Sequence, residues 1–216
     1  MAVLGAPWPA TLVDGDLLLR PLRLRDARAW RQVRASNVEW LKPWEATLPQ
    51  PDPATPITYG AMIRLGNREA RAGRALPFGI FYHDHFVGQI TVSGIAWSSL
   101  RTCHIGYWID RGHAGQGLMP RAVAMVGDHC FGTLQLHRLE INIRPENDAS
   151  LAVVRKLGFR NEGLRKRYLH IDGHWCDHVS FALTVDERPA GMMPWLRHQR
   201  GLEQQSDGAH ITPHGD

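Results

Sequence analysis

Three segments in the middle of the chain leave little choice of local topology. "LPFGIFYHD" (76–84), "HFVGQITVSGIAW" (85–97) and "RTCHIGYWID" (101–110) are rich in β-branched and aromatic residues, and turn signals separate them. His83 to His85 ("HDH") leaves room only for a tight hairpin, and Ser98 to Arg101 ("SSLR") forms a second turn. An antiparallel meander is therefore expected at the centre, and every other element must pack around it.

Upstream, a short strand is expected at about Asp16 to Pro21. Ala27, Trp30, Val33 and Arg34 then recur at helical spacing. A short helix ending near Lys42 follows, then a loop rich in Trp and Pro, then a helix in "ITYGAMIRLGNREARAGR". Downstream, "DRGHAGQGLMPRAV" opens a helix that runs to about Gly132, with Leu118, Ala122, Met125, Val126, His129 and Cys130 on one face. "HRLEINIR" is a strand with Leu139, Ile141 and Ile143 on one side and Arg138, Glu140, Asn142 and Arg144 on the other. "NDASLAVVRKLG" is a helix capped at Asn147 and stopped at Gly158. A last hairpin turns at Asp172-Gly173. The order predicts one mixed α/β domain over 14–187 and a polar, loosely held tail over 188–216.

Composition narrows the function classes. With 44% hydrophobic and 21% charged residues in 216, the chain can bury a sizeable core. A net charge of +4 from scattered Lys and Arg does not point to a nucleic-acid partner. Cys103, Cys130 and Cys176 form neither a disulfide framework nor a Cys-x-x-Cys pair. No apolar run reaches membrane-spanning length, and "MAVLGAPWPATLVDGD" lacks the pattern of a secretory signal. A cytoplasmic protein without membrane contact is expected, as a monomer or a homodimer. His170, His174, Cys176 and His178 invite a metal reading. They flank one hairpin turn with no separate Cys/His pair, so no metal is expected.

The glycine stretch carries more information. A dinucleotide fingerprint begun at Gly115 fails at Pro120, and a P-loop begun at Gly112 fails at Leu118 and Met119. What remains is a strand, a Gly-rich loop and a helix start. The N–H groups of about 112–118 precede or begin the helix, lack intrahelical partners and can face an anion. A plain Gly-rich turn explains this stretch equally well when it is taken alone.

The second half of the pattern lies about 30 residues on. "RGHAGQG" followed by "NDASLAVVRKLGF" resembles the acetyl-CoA signature of the GNAT N-acetyltransferase superfamily. "WLKPWE", "IGYWID", "RPEN" and "KLGFRNEGLRKRYLHIDGHWCDHVSFAL" are similar to its RimJ/RimL-like branch, which acetylates N-terminal amines of ribosomal proteins. The resemblance covers about Leu17 to Thr184. It implies a GNAT fold: a mostly antiparallel sheet of about seven strands, a splayed parallel pair, and helices on both faces. It implies acetyl-CoA as co-substrate, with the pantetheine along Ile105, Gly106, Tyr107, Trp108 and Ile109. The pyrophosphate would lie at Arg111, Gly112, Gly115, Gln116, Gly117, Leu118 and Met119, and Asn142, Asn147 and Ser150 would also contact the donor. The sequence departs from the superfamily pattern at Gly112, where a Gln or Arg is common, and at Val154, where many members place a Tyr acid. In the RimL-like branch Ser150 would take that role.

Acetyl transfer needs a neutral amine. At neutral pH roughly a tenth of α-amines are uncharged, against under a thousandth of Lys side chains. A carboxylate working through water is enough for the former. Glu140, on the polar face of its strand, is the candidate base, with Glu45 the other carboxylate open to that role; an ion pair of Glu140 with Arg138 or Arg144 is the competing reading. Trp40, Trp44 and Glu45 in the Trp/Pro-rich segment, and Tyr168, are candidate acceptor contacts. The expected reaction is direct attack of a protein N-terminal amine, and the resemblance implies that of a ribosomal protein. A small-amine acetyltransferase and a non-catalytic acyl-CoA-binding module stay open as alternatives.

Overall fold

The computed structural model describes residues 8–50 and 58–208. The far part of the Trp/Pro-rich loop (51–57) and the end of the tail (209–216) lie outside the described residues. Strand β1 (Leu12–Asp14) turns through Gly15 into β2 (Leu17–Arg20). Helices α1 (Ala27–Ser36), α2 (Val38–Leu41) and α3 (Tyr59–Arg71) follow. The meander is β3 (Leu76–Tyr82), β4 (His85–Ala96) and β5 (Thr102–Ile109). Then come α4 (Leu118–Asp128), extended by a π-helical turn at His129–Thr133, and β6 (Arg138–Ile143). Helix α5 (Asp148–Lys156), the hairpin β7 (Arg160–Ile171) and β8 (His174–Thr184), and α6 (Met192–Gly208) complete the chain.

The strands form one sheet in the order β1-β2-β3-β4-β5-β6-β8-β7. Every neighbouring pair is antiparallel except β5 and β6. Eight strands replace the expected seven or so, because the three residues of β1 are too few to show a period. The two tight hairpins turn where expected, with left-handed backbone at His83-Asp84 and Asp172-Gly173.

Strand alternation divides the core between the two faces. Leu17, Leu19, Phe78, Ile80, Leu139 and Ile141 pack with α4 and α5 on one side. Leu22, Phe81 and Phe86 pack with Trp30, Val33, Met62 and Ile63 of α1 and α3 on the other. Helix α4 is buried on nearly all sides rather than on one stripe. The reason is α6. Met192 and Leu196 are buried in the main core, and the Asp128 carboxylate accepts hydrogen bonds from the N–H groups of Met192 and Met193 at the start of α6. Arg188 reaches back to the Leu157 carbonyl at 2.8 Å and lies 3.8 Å over the Trp195 ring. The segment from Arg188 through Leu196 is thus docked, where its polar composition led to the expectation of a loose tail. No described helix is long and apolar enough to cross a membrane.

Candidate active site

The sheet forks at the one parallel pair among the described residues. β5 and β6 are in register at Thr102/Arg138, Cys103/Leu139 and His104/Glu140, and there pairing stops. β5 continues to Ile109, still paired with β4 on its other edge, and β6 continues to Ile143, still paired with β8. The flank of β5 that faces the fork therefore has no ladder partner beyond His104.

One side of the fork opens into a cavity of about 300 Å³ between the N-terminal ends of α4 and α5. Of the expected donor-site residues, Tyr107, Trp108, Ile109, Gly115, Gly117, Leu118, Met119, Asn147 and Ser150 line it. Trp40 and Trp44, expected on the acceptor side, line it too. Ile105 is buried in the core, and Gly106, Arg111, Gly112, Gln116 and Asn142 do not line the cavity. Arg111 instead holds its guanidinium 5.9 Å over the Trp40 ring.

The loop before α4 splits into two halves. Its first half is closed by its own bonds. The Arg111 N–H donates to Asn37 Oδ1, the Gly112 N–H to the Asp110 carboxylate, and the His113 and Ala114 N–H groups to the Asp110 and Arg111 carbonyls. Burial works against the Asp110 charge, but hydrogen bonds from Asn37 and His113 outweigh it and hold the carboxyl below its ordinary range. The second half is open. The N–H groups of Gly115, Gln116, Leu118 and Met119 have no partner among the described residues. Gly117 caps α4 in the left-handed conformation at φ +74°, a geometry that glycine adopts without steric cost. A loose strand flank leading to uncommitted N–H groups at a helix start fits a ligand with amides along its length and an anion at its end.

Asn147 caps α5, accepting from the Ser150 N–H at 3.0 Å. This places Ser150 in the first turn, at the cavity wall. The Tyr107 ring lines the same wall, and its hydroxyl is enclosed beside Ser150 without a hydrogen bond of normal geometry. Burial pushes that phenol well above its ordinary range.

The other side of the fork is polar. His104 Nδ1 lies 3.4 Å from Asn142 Nδ2 and 3.7 Å from Glu140 Oε2, and the Ser180 hydroxyl donates to Asn142 Oδ1 at 2.6 Å. Glu140 is buried between arginines: Arg138 Nε donates at 2.8 Å and Arg165 at 3.1 Å. The competing ion-pair reading thus describes its resting geometry, with Arg165 rather than Arg144 as the second partner. Arg144 donates to the Pro43 carbonyl at 2.9 Å and covers Trp44. Glu45 is exposed and held by Arg34 at 2.7 Å, away from the cavity. Tyr168 stacks edge-on against the buried His178 and also lies outside the cavity.

Sequence reasoning missed the cavity residues Leu41, His113, Ala114, Pro120, Ala149, Ala152, Val153 and Lys156. Ala149, Val153 and Lys156 follow the i, i+4, i+7 spacing of one helix face, so that face was readable once the helix was recognised. His104 was missed as well. It shares a strand face with Gly106, which was the available signal.

Comparisons with known proteins agree with this architecture. The family model described as an acetyltransferase (GNAT) domain matches residues 16–160. The ribosomal protein uS5-alanine N-acetyltransferase of Escherichia coli is 35% identical over 184 residues, covering 83% of this chain and 93% of that protein. The probable N-acetyltransferase YjcK of Bacillus subtilis is 39% identical over 169 residues, covering 77% and 93%. The solved structure of Mycobacterium smegmatis RimJ in complex with CoA-disulfide superposes with a TM-score of 0.82 at 39% identity, covering 88% of this chain and 95% of that one. The forked sheet, the open helix-start loop and these matches together make the chain a member of the GNAT family of N-acetyltransferases, enzymes whose acetyl donor is acetyl-CoA.

Proposed function

We propose that this enzyme transfers acetyl from acetyl-CoA to the N-terminal α-amine of a ribosomal protein, by direct attack while both substrates are bound. The observation that carries the reading is the fork. It joins a donor-shaped cavity on one face of the sheet to a polar cluster on the other, so two substrates can meet through it without a covalent enzyme intermediate. The acceptor class follows from the Escherichia coli relative, matched over nearly all of its length.

When bound, the donor supplies the activated acetyl group. The chain supplies the rest. The flank of β5 beyond His104, free of a ladder partner and closed at its Ile109 carbonyl by the Trp40 indole N–H, takes the donor's amide-bearing arm, and the open N–H groups of Gly115, Gln116, Leu118 and Met119 take its pyrophosphate. Asn147 and Ser150 face the arm from α5. The acceptor approaches from the polar side, over Gly106, where no side chain stands in the way. Glu140, through water, takes the proton of an amine that is already partly neutral. Ser150 donates a hydrogen bond to the departing thiolate. Trp40, Trp44 and Glu45 belong to the segment that closes over the substrates: its Thr47 N–H donates to the His170 carbonyl at 2.9 Å, which ties it to the tip of the last hairpin.

The test is thiol release from acetyl-CoA with three acceptor sets: peptides with free N-termini, N-terminally blocked peptides containing Lys, and small amines. Turnover with the first set, strongest for sequences taken from ribosomal proteins, is expected. Turnover confined to small amines would overturn the acceptor assignment.

A further inference from the structure

A hydroxyl in the cavity wall has no evident use. Tyr107 projects from β5 toward α5, and its hydroxyl is enclosed, with no hydrogen-bonding partner in proper geometry among the described residues. Such a group costs about 1–3 kcal/mol when it is left unmade, so its position asks for an explanation. The polar group beside it is the Ser150 side chain.

Two hydroxyls that meet in a dry wall can be ordered in two ways. If Ser150 donates to Tyr107, the phenolic hydrogen has nowhere to go. If Tyr107 donates to Ser150, both hydrogens can be used, because the Ser150 hydrogen is then free to point into the cavity. The second order satisfies more groups. Burial also keeps the phenol protonated, so it acts as a donor throughout the working pH range.

We propose that Tyr107 is a positioning residue: its hydroxyl donates to Ser150 Oγ and so aims the Ser150 hydrogen at the departing sulfur. No proton leaves Tyr107 in this arrangement, and no bond is made or broken there. The inference rests on the role given to Ser150 above. The small adjustment needed to bring the two oxygens into bonding geometry is expected to accompany donor binding, since catalytic hydrogen bonds commonly tighten in the substrate complex.

The experiment is a double-mutant cycle on the full chain, with Tyr107→Phe, Ser150→Ala and the double variant. Single-turnover acetyl transfer, acetyl-CoA affinity by calorimetry, and Tm are read for each. Tyr107→Phe is expected to lower kcat about tenfold, equivalent to about 1.4 kcal/mol, with donor affinity and Tm unchanged or Tm raised. In the Ser150→Ala background the same change is expected to do nothing further, because the aim of a missing hydroxyl no longer matters. Equal fold losses in both backgrounds would overturn the proposal, as would an unchanged kcat for Tyr107→Phe. A loss of kcat that tracks a fall in Tm would show a packing role and overturn it too. If Ser150→Ala alone leaves kcat unchanged, the Ser150 assignment fails first and this inference with it.

Discussion

Gly106→Val separates the two substrates more cleanly than any other single change. Gly106 lies two residues beyond the last β5/β6 pair, on the strand face that also carries His104. A Cβ built there meets no atom within 4 Å, and the residue is not among those with left-handed backbone. The strand should therefore accept valine, and in a strand valine is favoured over glycine by up to about 1 kcal/mol. The acceptor side is affected differently. The γ-methyls of valine reach roughly 2.5 Å from Cα, two C–C bonds of about 1.5 Å. An attacking amine must come within about 3–3.5 Å of the carbonyl carbon, and a displacement on the order of 1 Å costs about a hundredfold in rate. Thiol release with an N-terminal peptide should show kcat/KM lowered about a hundredfold, while calorimetry gives an acetyl-CoA affinity within about twofold of wild type. Thermal unfolding should give an equal or higher Tm. Wild-type kcat/KM in a normally folded Gly106→Val protein would refute the idea that the acceptor crosses this face.

Gly117→Val forces a β-branched residue into the left-handed cap of α4, at a cost of about 1–2 kcal/mol, and should weaken donor binding about tenfold with little effect on kcat at saturation; calorimetry checks this, and wild-type affinity would remove the pyrophosphate from the helix start. Glu140→Gln should lower kcat/KM by about a hundredfold or more if the carboxylate takes the amine proton; a fall in Tm with kcat intact would leave Glu140 as an anchor for Arg138 and Arg165 only. Gly127→Ala drives a Cβ into Met192 Sδ and to 3.2 Å from a Leu139 methyl, inside a filled core. It should destabilise by about 1–3 kcal/mol in urea unfolding, and part of that loss should vanish in a Met192→Ala background.

The features legible in the sequence are those set by neighbours along the chain. His83-Asp84 and Asp172-Gly173 announce their hairpins because turn chemistry is local, and Asn147 announces α5 because a cap bonds three residues ahead. The glycines of the loop before α4 and the face of Ser150 belong to the same class. The features that escaped depend on distant partners. Helix α6 reads as polar and loose because its docking rests on Met192 and Leu196 and on Asp128, over 60 residues away. Glu140 has a readable face, but its engagement by Arg165 is fixed only by the pairing of β6 and β7 through β8. Likewise, nothing local tells Glu45 that Arg34 will claim it, or Asn37 that it will hold both the Asp110 carboxylate and the Arg111 N–H.

The fork has a mechanical consequence. Only three registered pairs stitch the five strands before it to the three after it, so the sheet is two stiff panels with a seam between them. A donor lying along β5 would bind to the first panel's edge and to the start of α4, which packs on that panel, while α5, packed on β6, faces it from the second, and it would bridge the seam like a rivet. Amide exchange should then divide the backbone into two slow regions, with fast sites between them at Ile105, Tyr107 and Ile109, whose N–H groups face the fork rather than β4. Acetyl-CoA should slow those sites, raising cooperativity between the panels as well as overall stability. The enzyme would be at its most unified as a solid body only when it holds the molecule it is about to take apart.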